Sequence, residues 1–113
     1  MLPKERRISK KNFPYILSES RRYNSHHLLL YLSKIEGGSK KMSQFTFSVS
    51  KKVSKLAVNR NRFRRQGYSV VERIPNIKPG YFCFFTFKNT LNLKYSQIEA
   101  EIVELLSLSG MLE

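Results

Sequence analysis

The sequence predicts one α/β domain, an α+β sandwich in which helices pack against a single mixed sheet. Three observations predict this class. The chain has 113 residues, the length of one domain, and 41% of them are hydrophobic, enough for a modest core. Helical and strand-like patterns follow in the order helix, strands, helix, strand, helix, and we expect the full order to be α-β-β-β-α-β-α with about four strands. We expect residues 1–113 to form this single domain, with a basic N-terminal arm over residues 1–11.

The first element after the arm is a short helix that begins near Asn12 and ends near Ser20. Asn12 is a residue type that favours the N-cap position. Phe13, Ile16 and Leu17 follow at the i, i+3 and i+4 spacing of one helix face. This face is expected to lie against the sheet.

Two strand-like segments and a loop come next. Residues 27–33 place three leucines on one face of a strand, with Leu29 and Tyr31 on the other face. Residues 36–41 are typical of a turn or loop. Residues 44–50 alternate large apolar and hydroxyl side chains, which predicts a half-buried strand with a hydroxyl-rich outer face.

The second helix, predicted over residues 56–73, has an apolar stripe and a basic face. The stripe contains Leu56, Phe63, Val70 and Ile74. The basic face contains Arg60, Asn61, Arg64 and Arg65. Gly67 lies inside this helix, where glycine costs about 1 kcal/mol relative to alanine.

The last third of the chain predicts a buried strand and a closing helix. Residues 81–87 are almost continuously apolar, which is typical of a central strand covered on both faces. Within it, Cys83 is expected to be a buried, inert thiol. The closing helix, ending at Gly110, is predicted from the spacing of Ile98, Ile102, Leu105 and Leu106. Its outer face is expected to carry Glu99, Glu101 and Glu104.

Charge indicates the kind of partner. The formal net charge is +13, and all 21 lysines and arginines lie between Lys4 and Lys94. Such a field favours a polyanion bound through counterion release. The chain has no tryptophan and no long apolar run, so neither a membrane surface nor a membrane span is expected. We therefore expect a nucleic-acid partner and, by default, a cytoplasmic location.

The residues predict no catalytic site in the protein itself. The sequence contains no aspartate, the residue that protein nucleases usually employ to bind magnesium. His26 and His27 are adjacent, so a strand would point them to opposite faces. The single cysteine excludes a thiolate-rich zinc site. We expect no metal or cofactor bound by the protein.

The most specific segment runs from the end of the second predicted strand into the basic helix. Phe47–Val53 reads FSVSKKV, and Ala57–Arg65 reads AVNRNRFRR. This arrangement resembles the signature of the bacterial ribonuclease P protein family, in which a strand ending in Ser-Lys-Lys leads to a helix with an Arg-Asn-Arg core. The likeness covers nearly the whole chain: Asn12-Phe13, Leu29–Tyr31 and Pro79-Gly80-Tyr81 also fall in the family's order and spacing.

The chain departs from the family pattern at two places. The link between Lys52 and Ala57 is one residue longer than usual. After Gly67 the chain continues with Tyr68 and Ser69, where the family commonly has Arg-Glu.

The resemblance implies a fold and a division of labour. The fold is ribosomal-protein-like, with a left-handed crossover around the motif helix, whereas general rules predict a right-handed one. The partners implied are a catalytic RNA, which hydrolyses the phosphodiester with bound Mg²⁺, and precursor tRNA, whose 5′ leader is removed. The protein would act as an accessory subunit of this endoribonuclease.

The resemblance also assigns two sets of residues. Arginine donors match phosphate oxygens in pairs, and catalytic-RNA binding is implied for Lys51, Lys52, Arg60, Asn61, Arg62, Arg64 and Arg65. Aromatic platforms and cations hold single-stranded RNA, and leader binding is implied for Phe13, Leu17, Tyr31, Ser48, Ser50 and Lys52.

Simpler alternatives stand beside these roles. The basic face could be only solvated, although no acid interrupts residues 51–65. For Leu17, core packing is the favoured interpretation, and for Tyr31 the two interpretations are balanced. A ribosomal or other structural RNA-binding protein is the alternative function. A DNA-binding module is disfavoured, because a strand and not a partner helix precedes the basic helix.

Overall fold

The computed structural model describes residues 2–37 and 41–112. The described residues form the elements α1 (Phe13–Glu19), β1 (Arg21–Asn24), β2 (Leu28–Lys34), β3 (Gln44–Ser48), α2 (Ala57–Arg73), β4 (Tyr81–Phe87) and α3 (Tyr95–Leu108). The predicted order of elements is therefore confirmed. Strand β1 is the one that periodicity does not locate, because it has four residues and almost no buried position. Of the predicted loop, residues 36 and 37 form a turn, and residues 38–40 lie outside the described residues.

The four strands form one mixed sheet in the order β1-β2-β4-β3. Strands β1, β2 and β4 are antiparallel neighbours, and β3 runs parallel to β4. Strand β4 is thus central, as predicted. Parallel neighbours need a crossover connection, which α2 provides between β3 and β4. The handedness of this crossover stays a prediction.

The main core lies between one sheet face and helices α2 and α3. The leucines predicted to share a face of β2 are buried there, as are Phe45 and Phe47 of β3. From α2, Phe63 and Val70 contribute as predicted. The prediction for Leu56 is wrong. It is 62% exposed and precedes the helix at the N-cap position, where the extended backbone turns its side chain away from the stripe.

A smaller cluster covers part of the opposite sheet face. Ile16 of α1 is completely buried against Phe82 and Phe84 of β4, together with Ile8. The basic N-terminal segment is held there too, since the Ile8 amide donates to the Phe45 carbonyl at 3.1 Å. Strand β4 is consequently covered on both faces, and burial raises the pKa of the Cys83 thiol far enough to keep it protonated.

Gly67 lies where α2 approaches β3 most closely. A Cβ atom at this position would lie 2.5 Å from the Phe47 ring. That ring is stacked on Phe85 at 4.8 Å, and Tyr68 meets it edge to face at 5.1 Å between ring centroids. The close approach therefore requires glycine, which the helix-propensity argument from sequence did not anticipate.

Glu101 is buried, so the prediction that it lies on the outer face of α3 is wrong. Its Oε1 accepts hydrogen bonds from Ser25 Oγ at 2.5 Å and from the His27 amide at 2.6 Å. Its Oε2 lies 2.6 Å from His27 Nδ1. The carboxylate thus ties α3 to the turn between β1 and β2. His26 is exposed and His27 is buried. The prediction that they point to opposite faces of a strand is wrong, because both lie in the turn before β2 and their rings meet edge to face at 4.4 Å between centroids.

Gly67→Ala is expected to destabilise the protein by about 1–3 kcal/mol, although alanine favours helix, because the added methyl group overpacks the Phe47 ring. Urea unfolding measures the change. Ser69→Ala, two residues along the same helix and only half-buried, is the control and should change stability much less. A more stable Gly67→Ala protein would contradict the close approach.

Glu101→Ala is expected to cost about 2–4 kcal/mol, because it leaves the buried Ser25 and His27 groups unpaired. Glu104→Ala, at an exposed position on the same helix, is the control and should change stability little.

Burial opposes ionisation of Glu101, but the hydrogen bonds from Ser25 and His27 and the nearness of the imidazole outweigh it, holding its pKa below the ordinary 4.5. Its contribution should therefore be present above that pH and fade as the pH falls through the lowered pKa. Thermal melts at a series of pH values measure the stability difference between wild type and Glu101→Gln. A difference that does not change with pH would contradict the prediction.

Candidate RNA-binding surfaces

The first half of α2 carries a surface of arginines directed away from the sheet. Phe63, Gly67 and Val70 bury the opposite side of the helix. The polar side exposes Asn61, Arg62 and Arg65 and leaves Arg60 and Arg64 half-buried. These five residues, together with Lys51 and Lys52, are called the basic surface below. All seven were predicted from the sequence.

Two of these arginines are positioned by uncharged partners. Arg60 Nη1 donates to the carbonyls of Ser54 and Lys55 at 2.9 and 2.7 Å, so it fastens the loop that precedes the helix. Arg64 Nη2 donates to Asn61 Oδ1. A guanidinium has five N–H donors, so both side chains can hold these contacts and a phosphate together.

Lys51 and Lys52 lie in the turn that leaves β3. The Ser50 carbonyl accepts from the amides of Val53 and Ser54 at 3.1 and 3.0 Å. The Ser50 hydroxyl also accepts from the Val53 amide, at 3.3 Å. The turn exposes both lysines and Ser50. This turn connects the sheet to the basic helix.

The second surface is an aromatic cleft between α1 and the uncovered part of the sheet. Phe13 of α1 meets Phe84 edge-on at 5.1 Å, and Tyr31 of β2 meets the same ring edge-on at 5.7 Å. Ser48 is half-buried on this face of the sheet. Leu17 is 48% exposed, so the interpretation that it packs in the core is wrong. We refer to Phe13, Leu17, Tyr31, Phe84 and Ser48 as the cleft.

The predicted site residues therefore occupy two surfaces separated by the sheet. The arginines lie on the helix that packs against one face, and the cleft opens on the other face. Residues 48–52 run from the cleft to the start of the basic surface. Both surfaces are thus built on the same sheet and meet along this short segment.

The structure also shows polar residues at the cleft that sequence reasoning missed. The guanidinium of Arg22 lies 5.2 Å from the centre of the Tyr31 ring. Lys88 Nζ donates to Asn24 Oδ1 at 3.1 Å. No periodicity indicates these residues, because their place depends on the pairing of β1 with β2 and on the end of β4.

In the described ranges, no helix is long and apolar enough to cross a membrane. The same ranges contain no group of three or more histidine, cysteine, aspartate or glutamate side chains placed to hold a metal ion.

A basic helix on one side of a sheet and an aromatic cleft on the other are features of an RNA-binding protein of the α+β class. The family model described as Ribonuclease P matches residues 2–108. The chain belongs to the ribonuclease P protein family. This membership decides against the ribosomal alternative.

Similar proteins include two ribonuclease P protein components. The chain is 33% identical to one from a Synechococcus strain over 99% of its own length and 87% of the relative's. It is 29% identical to one from Synechocystis, over 99% and 91% of the two chains.

Solved structures show the same fold at lower identity. A Staphylococcus aureus RNase P protein mutant with defective mRNA degradation activity superposes with a TM-score of 0.85 at 19% identity, covering 96% of this chain and 92% of the other. The Thermotoga maritima RNase P protein gives 0.76 at 17% identity, over 90% and 96%.

Arg64→Ala is expected to weaken binding to the RNA subunit of ribonuclease P and to reduce the salt dependence by about one phosphate contact, leaving the thermal stability nearly unchanged. Arg60→Ala should weaken binding similarly but also lower stability, because the carbonyls of Ser54 and Lys55 lose their donor. Binding titrations over a salt series and thermal melts separate the two effects. An unchanged salt slope for both variants would exclude direct phosphate contacts.

Proposed function

We propose that this chain binds the catalytic RNA of ribonuclease P through the basic surface and the 5′ leader of precursor tRNA through the cleft. In this proposal the RNA subunit carries out the hydrolysis with bound Mg²⁺, and the protein supplies no catalytic residue. Because both partners are cytoplasmic RNAs in bacteria, the protein would act in the cytoplasm.

The observation that carries the proposal is the position of the two surfaces relative to the sheet. One face of the sheet supports the arginine helix, and the other face is left partly open beside α1. Two RNA segments can therefore contact the protein simultaneously without competing for the same side chains. Lys52 lies where the surfaces meet and is available to either segment.

The chemistry of the cleft suits a leader of variable sequence. Aromatic rings and cations hold single-stranded RNA by stacking and charge, without reading base edges. Phe13 and Tyr31 present rings beside Phe84, and Ser48 adds a hydroxyl on the same face. A duplex would not fit this arrangement as well, since its bases are already stacked.

The basic surface suits a folded RNA. Two of its arginines, Arg60 and Arg64, are held by backbone carbonyls and an amide oxygen rather than by acids, so these contacts leave their positive charge in place. Binding is expected to release counterions and to weaken steeply with salt. This dependence is a property of phosphate recognition and requires no base contacts.

The test is cleavage of precursor tRNA by a cognate catalytic RNA at low Mg²⁺, with and without the protein. We expect strong protein-dependent cleavage, and tighter binding of precursor than of mature tRNA. Tyr31→Ala should lose about 1–3 kcal/mol of precursor binding, the usual contribution of one stacked base, with mature tRNA unaffected. Tyr31→Phe is the control, because it keeps the ring.

Two results would contradict the proposal. Cleavage that does not respond to the protein, although the protein binds the RNA, would leave only general RNA binding. Equal losses for precursor and mature tRNA in Tyr31→Ala would place Tyr31 outside the leader path.

A further inference from the structure

The sheet face that contains the cleft continues beyond it to the outer strand β1. Residues paired across neighbouring strands project to the same face. The strand registers therefore align two rows of side chains across all four strands. The first row is Arg22, Tyr31, Phe84 and Thr46. The second row is Asn24, Leu29, Thr86 and Ser48.

The β1 end of these rows is cationic. Arg22 is exposed, and its guanidinium carbon lies 5.2 Å from the centre of the Tyr31 ring. Lys88 follows β4 on the same side as Thr86, and its Nζ donates to Asn24 Oδ1 at 3.1 Å. Neither row contains an acidic residue. Two positive charges thus lie next to the aromatic side chains, at the opposite end of the rows from Lys52.

An arginine that packs on an aromatic ring keeps its N–H groups at the rim of the guanidinium plane, where they remain able to bond. Tyr31 therefore orients Arg22 while leaving its donors able to bond an anion. The contact is favourable in the free protein, so less side-chain freedom is lost when an anion binds. This is the arrangement expected of a prepared phosphate contact.

We propose that Arg22, Asn24 and Lys88 form a further binding site for the phosphates of single-stranded RNA, and that the distal part of the leader occupies it. The inference rests on the proposed function of the cleft and extends the leader path from Tyr31 across β1. Strands are spaced about 4.8 Å apart, so the rows span about 14 Å from β3 to β1. A leader cut back to one or two nucleotides would end before reaching Arg22.

The test uses the full protein reconstituted with its catalytic RNA and compares Arg22→Ala with Arg21→Ala. Both variants remove one positive charge from β1. Arg21 pairs with Leu32, which lies on the opposite face of the sheet from Tyr31, so only Arg22→Ala removes a charge from the rows. Binding is measured for precursor tRNA with a long leader, precursor with a leader of one or two nucleotides, and mature tRNA.

We expect Arg22→Ala to weaken binding of the long-leader precursor about five-fold, the size of one exposed ionic contact. The slope of log affinity against log salt should fall by about 0.7, as for one single-strand phosphate. Short-leader and mature tRNA should bind as they do to wild type. Arg21→Ala should leave all three substrates close to wild type, and Lys88→Ala should resemble Arg22→Ala.

The outcomes separate the two proposals. If wild type distinguishes long-leader precursor from mature tRNA but Arg22→Ala and Arg21→Ala behave alike, the β1 site is wrong and the cleft stands. Equal weakening of all three substrates by Arg22→Ala would also exclude the site. If wild type shows no preference for the leader, the proposed function fails, and this site fails with it. Thermal melts of each variant establish that folding is intact.

Discussion

The close packing of α2 on β3 is the contact on which both surfaces depend. At Gly67 the helix backbone comes so near the Phe47 ring that no side chain fits between them. The ring cannot retreat, because Phe85 is stacked behind it. Tyr68 extends the same contact by accepting a hydrogen bond from the Phe47 amide, which protects the edge of β3. With the apolar side of α2 held in this way, its arginines have to face solvent. Tyr68 and Ser69 stand where the family commonly has Arg-Glu. They therefore lie next to Gly67, at the packing contact that orients the arginine-rich helix.

The central strand explains why the other face is only partly covered. Strand β4 buries Phe85 under α2 and α3 and Phe84 beside α1. Helix α1 (Phe13–Glu19) has seven residues, which corresponds to about 10 Å at 1.5 Å per residue. Its buried residue, Ile16, packs on Phe82 and Phe84 and leaves Tyr31 and Ser48 half-open. The cleft is the consequence of a short helix on a wider sheet.

Three arginines of the proposed RNA-binding surfaces are positioned by neutral groups. Arg60 bonds backbone carbonyls, Arg64 bonds the Asn61 amide, and Arg22 packs on the Tyr31 ring. These contacts order the side chains without neutralising them. The accumulated positive charge opposes the compact state, and the buried bonds of Glu101 are among the interactions that offset it. The same charge strengthens the attraction to a polyanion.

The sequence by itself determined every helix and strand except β1, the inward faces of β2, β3 and β4, and the arginine-rich face of α2. These follow from periodicity, because alternation and helical spacing are local properties of the chain. Only the tertiary structure decided the rest. Leu17 is exposed because the sheet beside α1 is open there, and Glu101 is buried because α3 meets the turn before β2. The close approach of α2 to Phe47 requires Gly67. The pairing register of β1 with β2 brings Arg22 next to Tyr31, and no local sequence pattern encodes that register. Each depends on contacts between residues far apart in the chain.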